Sequence, residues 1–280
     1  MLKEVVKYPL AIRGISSEQF TEVKSPFNGD VVAAIGQADE KAIDAALSIA
    51  QEVFERTMKS MPAHQRSEIL HKASKLLLEN KEDMARTIAL EGGKPIRDAR
   101  VEVSRAANTF LLASHEAMHL DGEQIPMDVS PGNENRLGII LREPVGIIGG
   151  ITPFNFPLNL VAHKVAPAIA AGNCIVLKPS SQTPIASIKL GEILKEAGLP
   201  DGVLQIIPCR GSKGNALVKD SRLAVLTFTG SPEIGWQMRR DAHPGTRLVL
   251  ELGGNAGVIV HDDADITLAA KAAVRGGYGH

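Results

Sequence analysis

Cysteine, aromatic residues and net charge are all scarce in this sequence. Only Cys174 and Cys209 occur among 280 residues. Two thiols do not make a disulfide framework, so a reducing compartment is the expectation. Aromatics are 4% of the chain, which leaves few platforms for stacking single-stranded bases. Lysine and arginine (31) nearly balance aspartate and glutamate (32), so charge makes no case for nucleic acid or an anionic membrane. Apolar runs break within about ten residues, too short to span a bilayer. The N-terminal MLKEVVKYPLAIRG scatters its charges and has no signal-peptide core. A cytoplasmic protein without nucleic-acid or membrane partners is expected.

What is present is a cored chain, 44% apolar, long enough for one large domain or two modest ones. Residues 1–37 read as short strands and turns. Asp39 is placed to cap a helix over 40–58, whose apolar positions Ile43, Ala46, Leu47, Ala50 and Phe54 follow helical spacing. Further helices are predicted over 63–80, 81–90 and 96–119. Residues 122–146 alternate and turn, a hairpin signal with Gly132 and Asn133 at the tip. Beyond it, short apolar strands (145–150, 174–177, 203–207, 224–228, 247–251) alternate with helices (158–171, 183–197, 213–220, 233–241). That alternation predicts an α/β fold with an open parallel sheet and helices on both faces. Then come a strand over 258–260, a helix over 265–274 and a glycine-rich stop. The ending reads as the middle of a domain.

Four strand ends carry chemistry. The strand leading to Ile151 runs into Thr152-Pro153-Phe154-Asn155, and a primary amide there is a neutral donor suited to a developing oxyanion. Lys178 follows a second strand, at the sheet edge where ligands of open α/β sheets sit. Gly230-Ser231 follows Phe228 and precedes a helix with proline in its first turn, leaving free N–H groups for phosphate oxygens. Glu251 ends a fourth strand ahead of Gly253. Taken singly, each has a plainer reading: a turn asparagine, a solvated lysine, a helix cap, a glutamate facing water.

Together and in order, TPFNFP, LKPSSQTP, FTGSPEIG and LELGGN resemble motifs of the aldehyde dehydrogenase superfamily, as does EGGKP at Glu91 to Pro95. The likeness runs from about Pro26 to the end. It implies a Rossmann-like NAD(P)-binding domain (1–121 and 147–252), an oligomerisation hairpin (122–146) and the start of an incomplete catalytic domain (253–280). It makes Asn155 the oxyanion donor and Glu251 the general base, with Gly253 permitting close approach. It carries cofactor contacts to Ile151, Thr152, Pro153, Lys178, Ser180, Ser181, Gly211, Phe228, Gly230, Ser231 and Gly253. NAD-preferring relatives commonly have a carboxylate where Ser181 stands. A serine hydrogen-bonds a 2′-phosphate that a carboxylate repels, so NADP is expected to be accepted. The implied reaction is oxidation of an aldehyde to a free carboxylic acid through a cysteine thiohemiacetal and thioester, in a homodimer or homotetramer.

The family's nucleophile belongs beyond His280. Cys174 reads as a small core residue, and Cys209, at a strand end that can be exposed, has no base beside it. The expectation is an N-terminal fragment, inactive alone. A non-catalytic nucleotide-binding or structural module is the alternative. His115-Glu116-Ala117-Met118-His119 matches the zinc-protease H-E-x-x-H pattern, but its helix ends at once and no third ligand stands out, so no metal is expected. His163 and Lys164 read as a solvated helix face.

Overall fold

The computed structural model describes residues 5–278; Gly279 and His280 of the glycine-rich end, and the first four residues, lie outside it. A small sheet opens the chain, ordered β1–β3–β2 from β1 (Lys7–Tyr8), β2 (Phe20–Lys24) and β3 (Val31–Gly36). Four helices follow: α1 (Glu40–Arg56), α2 (Ala63–Glu79), α3 (Lys81–Gly92) and α4 (Ile96–Glu116). The Asp39 carboxylate does cap α1, accepting the Ala42 N–H at 2.8 Å, and the five apolar positions named for that helix are all buried.

The expected hairpin is present but short. β4 (Glu123–Ile125) pairs antiparallel with β5 (Gly138–Ile140), and Gly132 takes φ +89° in the long connecting loop. Ile139, Leu137, Leu141 and Val129 stay exposed.

The main sheet is five-stranded and wholly parallel, ordered β10–β9–β6–β7–β8. Its strands are β6 (Ile147–Ile151), β7 (Cys174–Lys178), β8 (Leu204–Ile206), β9 (Leu223–Thr229) and β10 (Arg247–Glu251). Every residue of β6 and β7 is buried, the signature of strands covered on both faces. The chain steps outward through α5 (Asn159–Ala170) and α6 (Ile185–Glu196). It then returns through α7 (Asn215–Val218) and α8 (Pro232–Asp241) to the other side of β6. Right-handed crossovers put α5 and α6 on one face, backed by α2, α3 and α4, and α7 and α8 on the other with α1. This reversal of direction beside β6 is the switch point where such sheets open a crevice.

One predicted strand is absent. Residues 252–260 are irregular, and Val258, Ile259 and Val260 are exposed. Their β-branched side chains favour extended backbone, but a strand needs a ladder partner, and β10 is the sheet's last strand among the described residues. The final helix, α9 (Ile266–Tyr278), buries none of its described residues.

Candidate active site

The parallel register sets the predicted groups along one edge. Ile151 lies opposite Lys178 on one side and Phe228 on the other, and Glu251 lies opposite Thr229. Backbone bonds tie the strand ends together: Thr152 N–H donates to the Lys178 carbonyl at 3.2 Å, and Gly230 N–H to the Glu251 carbonyl at 3.0 Å. The four motifs, spread over a hundred positions, therefore meet at the carboxyl edge of one sheet.

A groove of about 540 Å³ opens there, walled by Ile151, Lys178, Gly211 and Phe228 from the predicted set, and by Asn215, Ile234, Gln237 and Met238, which sequence reading missed. Lys178 is the last residue of β7 and is buried, not solvated. Its stem lies so close to Gly214 that a Cβ there would stand 2.9 Å from it. Burial lowers its pKa, partly offset by the neighbouring Cys209. Its ammonium makes one long contact, 3.4 Å to the Pro179 carbonyl.

Gly230 and Ser231 form the mouth of α8. A side chain at Gly230 would run into the Phe228 ring. The plain helix-cap reading of Ser231 fails, because its hydroxyl makes no capping bond. Pro232 has no N–H, and the helical ladder begins with Gly235 donating to Ser231 O at 3.0 Å, so Glu233 and Ile234 N–H stand ahead of it. Gly253 packs against this mouth; a Cβ there would sit 3.3 Å from the Pro232 ring. Ser180 and Ser181 are not on the groove wall. Ser180 Oγ accepts the Gln182 N–H at 3.2 Å, and Ser181 is exposed.

The residues fit a dinucleotide. Lys178, with its under-coordinated ammonium, and Ile234 of α8, whose first N–H groups are unbonded, stand on the wall of one groove. Thr152 Oγ1, next to Ile151, is buried without a partner. Such an orphan polar atom marks a place where a ligand hydroxyl or water is expected.

Asn155 occupies a different place. It is exposed in the turn beyond β6, in a recess of about 40 Å³ with Phe154, Pro157 and Lys94. The start of α5 is held from below by a residue the motif reading missed. Glu102 Oε1 accepts the N–H groups of Leu158 (3.0 Å) and Asn159 (3.1 Å), and Oε2 accepts Lys94 Nζ at 2.6 Å. Lys94 also sits 3.7 Å from the centre of the Phe156 ring. Glu91, first residue of EGGKP, does the same for α6, accepting the Ile185 and Ala186 N–H groups at 2.7 and 2.9 Å. Its burial pushes its pKa up to about 8.

Lys164 corrects the solvated-face expectation. It is buried on α5 and donates to Thr227 Oγ1 (2.9 Å) and Thr229 Oγ1 (3.0 Å) of β9. Burial drives its pKa down to about 8, against a smaller upward pull from Glu251. His163 is exposed as expected. Cys174 is core, its thiol pushed up to about 12 by burial. Cys209 is not exposed at its strand end but buried too, and burial raises its pKa against Lys178 and Lys213. The H-E-x-x-H pair dissolves: α4 ends at Glu116, and His119 folds back with Nδ1 2.8 Å from the His115 carbonyl. The one cluster of potential metal-binding side chains among the described residues is His261, Asp262 and Asp263, all exposed.

Known proteins share this fold. The aldehyde dehydrogenase family model matches residues 13–280. The 3-sulfolactaldehyde dehydrogenase of Priestia megaterium is 41% identical over 274 residues, covering 96% of this chain and 56% of the relative. Aldehyde dehydrogenase 21 from Physcomitrella patens, solved in complex with the reaction product succinate, superposes with a TM-score of 0.92 at 40% identity, over 98% of this chain and 58% of that one. NADP-dependent glyceraldehyde-3-phosphate dehydrogenase from Bacillus halodurans, solved with NADP, gives 0.92 at 33% identity, over 99% and 58%. The chain thus spans a little over half the length of these relatives. On sequence and fold, this chain belongs to the aldehyde dehydrogenase family.

Proposed function

We propose that this chain is the cofactor-binding and oxyanion-holding part of an enzyme that oxidises an aldehyde to a carboxylic acid with NADP or NAD. The observation that carries the reading is the convergence of Lys178, the α8 mouth, Glu251 and the turn bearing Asn155 on one sheet edge. Lys178, Thr152, Ser231 and the first N–H groups of α8 hold the dinucleotide, and Ile151 and Phe228 give it an apolar wall. The bound nicotinamide supplies the hydride acceptor. The Asn155 amide donates to the oxyanion that forms when a thiol adds to the carbonyl. Glu251 then removes a proton from the water that releases the acid.

Both cysteines are buried with raised pKa values, which supports neither of them as the attacking thiol. Residues 1–280 alone are then expected to bind nucleotide without turning over aldehyde. The same buried thiols favour the second reading, a nucleotide-binding module with no catalysis. Coding sequence continuing past residue 280 to a cysteine favours the enzyme, and a stop codon favours the module. We assign residues 1–121 and 147–252 to the NAD(P)-binding domain, 122–146 to oligomerisation and 253–280 to the start of the catalytic domain. The exposed apolar side chains Leu137, Ile139 and Leu141 support a homodimer or homotetramer built on the hairpin. Relatives are named for 3-sulfolactaldehyde and for lactaldehyde, which supports a short aldehyde as substrate.

Two binding results are expected from calorimetric titration. NADP binds, and NAD does not bind as much as about tenfold more tightly, a margin of ~1.4 kcal/mol; a larger NAD preference refutes the role given to Ser181. Lys178→Met weakens NADP at least tenfold, again ~1.4 kcal/mol, with the folded structure kept. An unchanged NADP affinity in that variant removes Lys178 from the site.

A further inference from the structure

Glu91 is 2% exposed, yet its carboxylate serves a helix 94 positions further on. α3 stops just after it. Gly93 takes φ +68° and its N–H closes on the Ala89 carbonyl at 3.0 Å, which leaves Glu91 at the end of α3 facing the start of α6. Nothing else caps α6. Pro184, ahead of it, makes no side-chain cap, and the Ser187 hydroxyl in the first turn is buried without a partner. Glu91 therefore accepts the Ile185 and Ala186 N–H groups alone, and a carboxylate at that end also suits the helix dipole. Gly92 lies against the loop before α6; a Cβ there would stand 3.7 Å from the Thr183 methyl. Residues 179–184 of that loop carry Ser180 and Ser181, and the Pro179 carbonyl is the one contact of the Lys178 ammonium. One turn further along, α6 has a second tie to α3: Lys189 donates to Asp83 Oδ2 at 2.7 Å and Thr87 Oγ1 at 2.9 Å.

We propose that Glu91 is a positioning residue for the cofactor: through the first turn of α6 it sets the path of residues 179–184, and so places Lys178 and the Ser181 hydroxyl against the adenosine ribose and its 2′-phosphate. The proposal rests on the nucleotide-binding reading above and adds a residue that does not line the groove. Without the carboxylate, two buried N–H groups lose their acceptor, and the first turn must move or admit water. A short loop anchored at that turn moves with it. The Lys189 tie acts beyond the first turn and leaves the loop in place.

The test is calorimetric titration of the 280-residue chain with adenosine 2′,5′-bisphosphate and with AMP, which differ only in the 2′-phosphate. It is run below the melting transition of every variant. Glu91→Gln, which keeps the shape and one acceptor, is expected to weaken the bisphosphate about threefold, and Glu91→Leu about tenfold or more, with a smaller loss for AMP. Lys189→Met is the control: it lowers the melting temperature and leaves both affinities within about twofold of the parent. Folded Glu91 variants that bind the bisphosphate as the parent does, an equal loss for AMP, or an equal loss in Lys189→Met each overturn the positioning role. If Glu91→Leu does not fold, Glu91→Gln decides alone by the same criteria. NADP titration of the parent reports separately on the nucleotide groove. A parent that binds neither NADP nor the bisphosphate defeats the nucleotide reading itself, whereas a parent that binds both, with Glu91 variants that bind equally well, defeats only this inference.

Discussion

Glu102→Leu is expected to lower the unfolding free energy by about 3–5 kcal/mol, the cost of breaking a buried ion pair from one side. The Glu102 side chain has no exposure and that of Lys94 only 4%. Removing the carboxylate strands the Lys94 ammonium and leaves the Leu158 and Asn159 N–H groups without an acceptor. No other cap stands by, since Leu158 at the start of α5 offers no side-chain oxygen. Urea denaturation of the whole chain measures the loss. Lys94→Met should also destabilise it, and the double variant should lose less than the two single losses combined, by at least about 2 kcal/mol, because no charge is then left unpaired. A Glu102→Leu variant within about 1 kcal/mol of the parent would show that water replaces the pair. NADP affinity is a control, since neither residue lines the nucleotide groove.

This pair also explains why EGGKP and TPFNFP occur in one chain. The turn carrying Asn155 is anchored at its end by α5, and α5 is anchored by Glu102 on α4, which Lys94 completes. Motif reading treats these as separate signatures. Burial and hydrogen bonding make them one support for one amide.

The five parallel strands were legible because each is a short apolar run between helix-spaced segments, and observed bounds differ from expected ones by three residues or fewer. Residues 258–260 misled because β-propensity is local whereas strand pairing is not. Lys164 misled for the opposite reason. Read as the dipeptide His163-Lys164, it looks like solvated charge. Read by helical spacing, it shares a stripe with Val161, Val165 and Ala168, all buried, whereas His163 points away from it. Glu102 falls in the same way among Ala99, Val103 and Ala106. A charged residue on the apolar stripe of a helix was the available signal for both. Its partner was not available: nothing local in the sequence says that Lys164 meets Thr227 and Thr229, or that Ser231 keeps its hydroxyl free.

Lys164→Met is expected to make the chain more stable at neutral pH, with an advantage that fades as pH rises. The ammonium's pKa falls from 10.5 to about 8 in the fold, because burial outweighs the attraction of Glu251. Below pH 8 both folded and unfolded states hold the proton, and the fold bears the whole cost of the buried charge. Between pH 8 and 10.5 the unfolded state binds more protons, so stability gains with rising pH. At about 1.4 kcal/mol per pH unit the complete effect is about 3 kcal/mol, of which about 2 kcal/mol should appear between pH 7 and 9.5. Other groups titrate in that range, Cys174 among them, so the quantity to measure is the difference between variant and parent. A difference that stays constant within about 0.5 kcal/mol from pH 7 to 9.5 would mean that Lys164 keeps its ordinary pKa. Methionine of similar length can fill the same channel without a charge, so packing alone does not account for a lysine here. Local rules of stability are broken where a site requires it. A cation held at this cost beneath the end of β9, close enough to Glu251 for the two charges to interact, is such a breach, and it lies at the same sheet edge as the nucleotide groove.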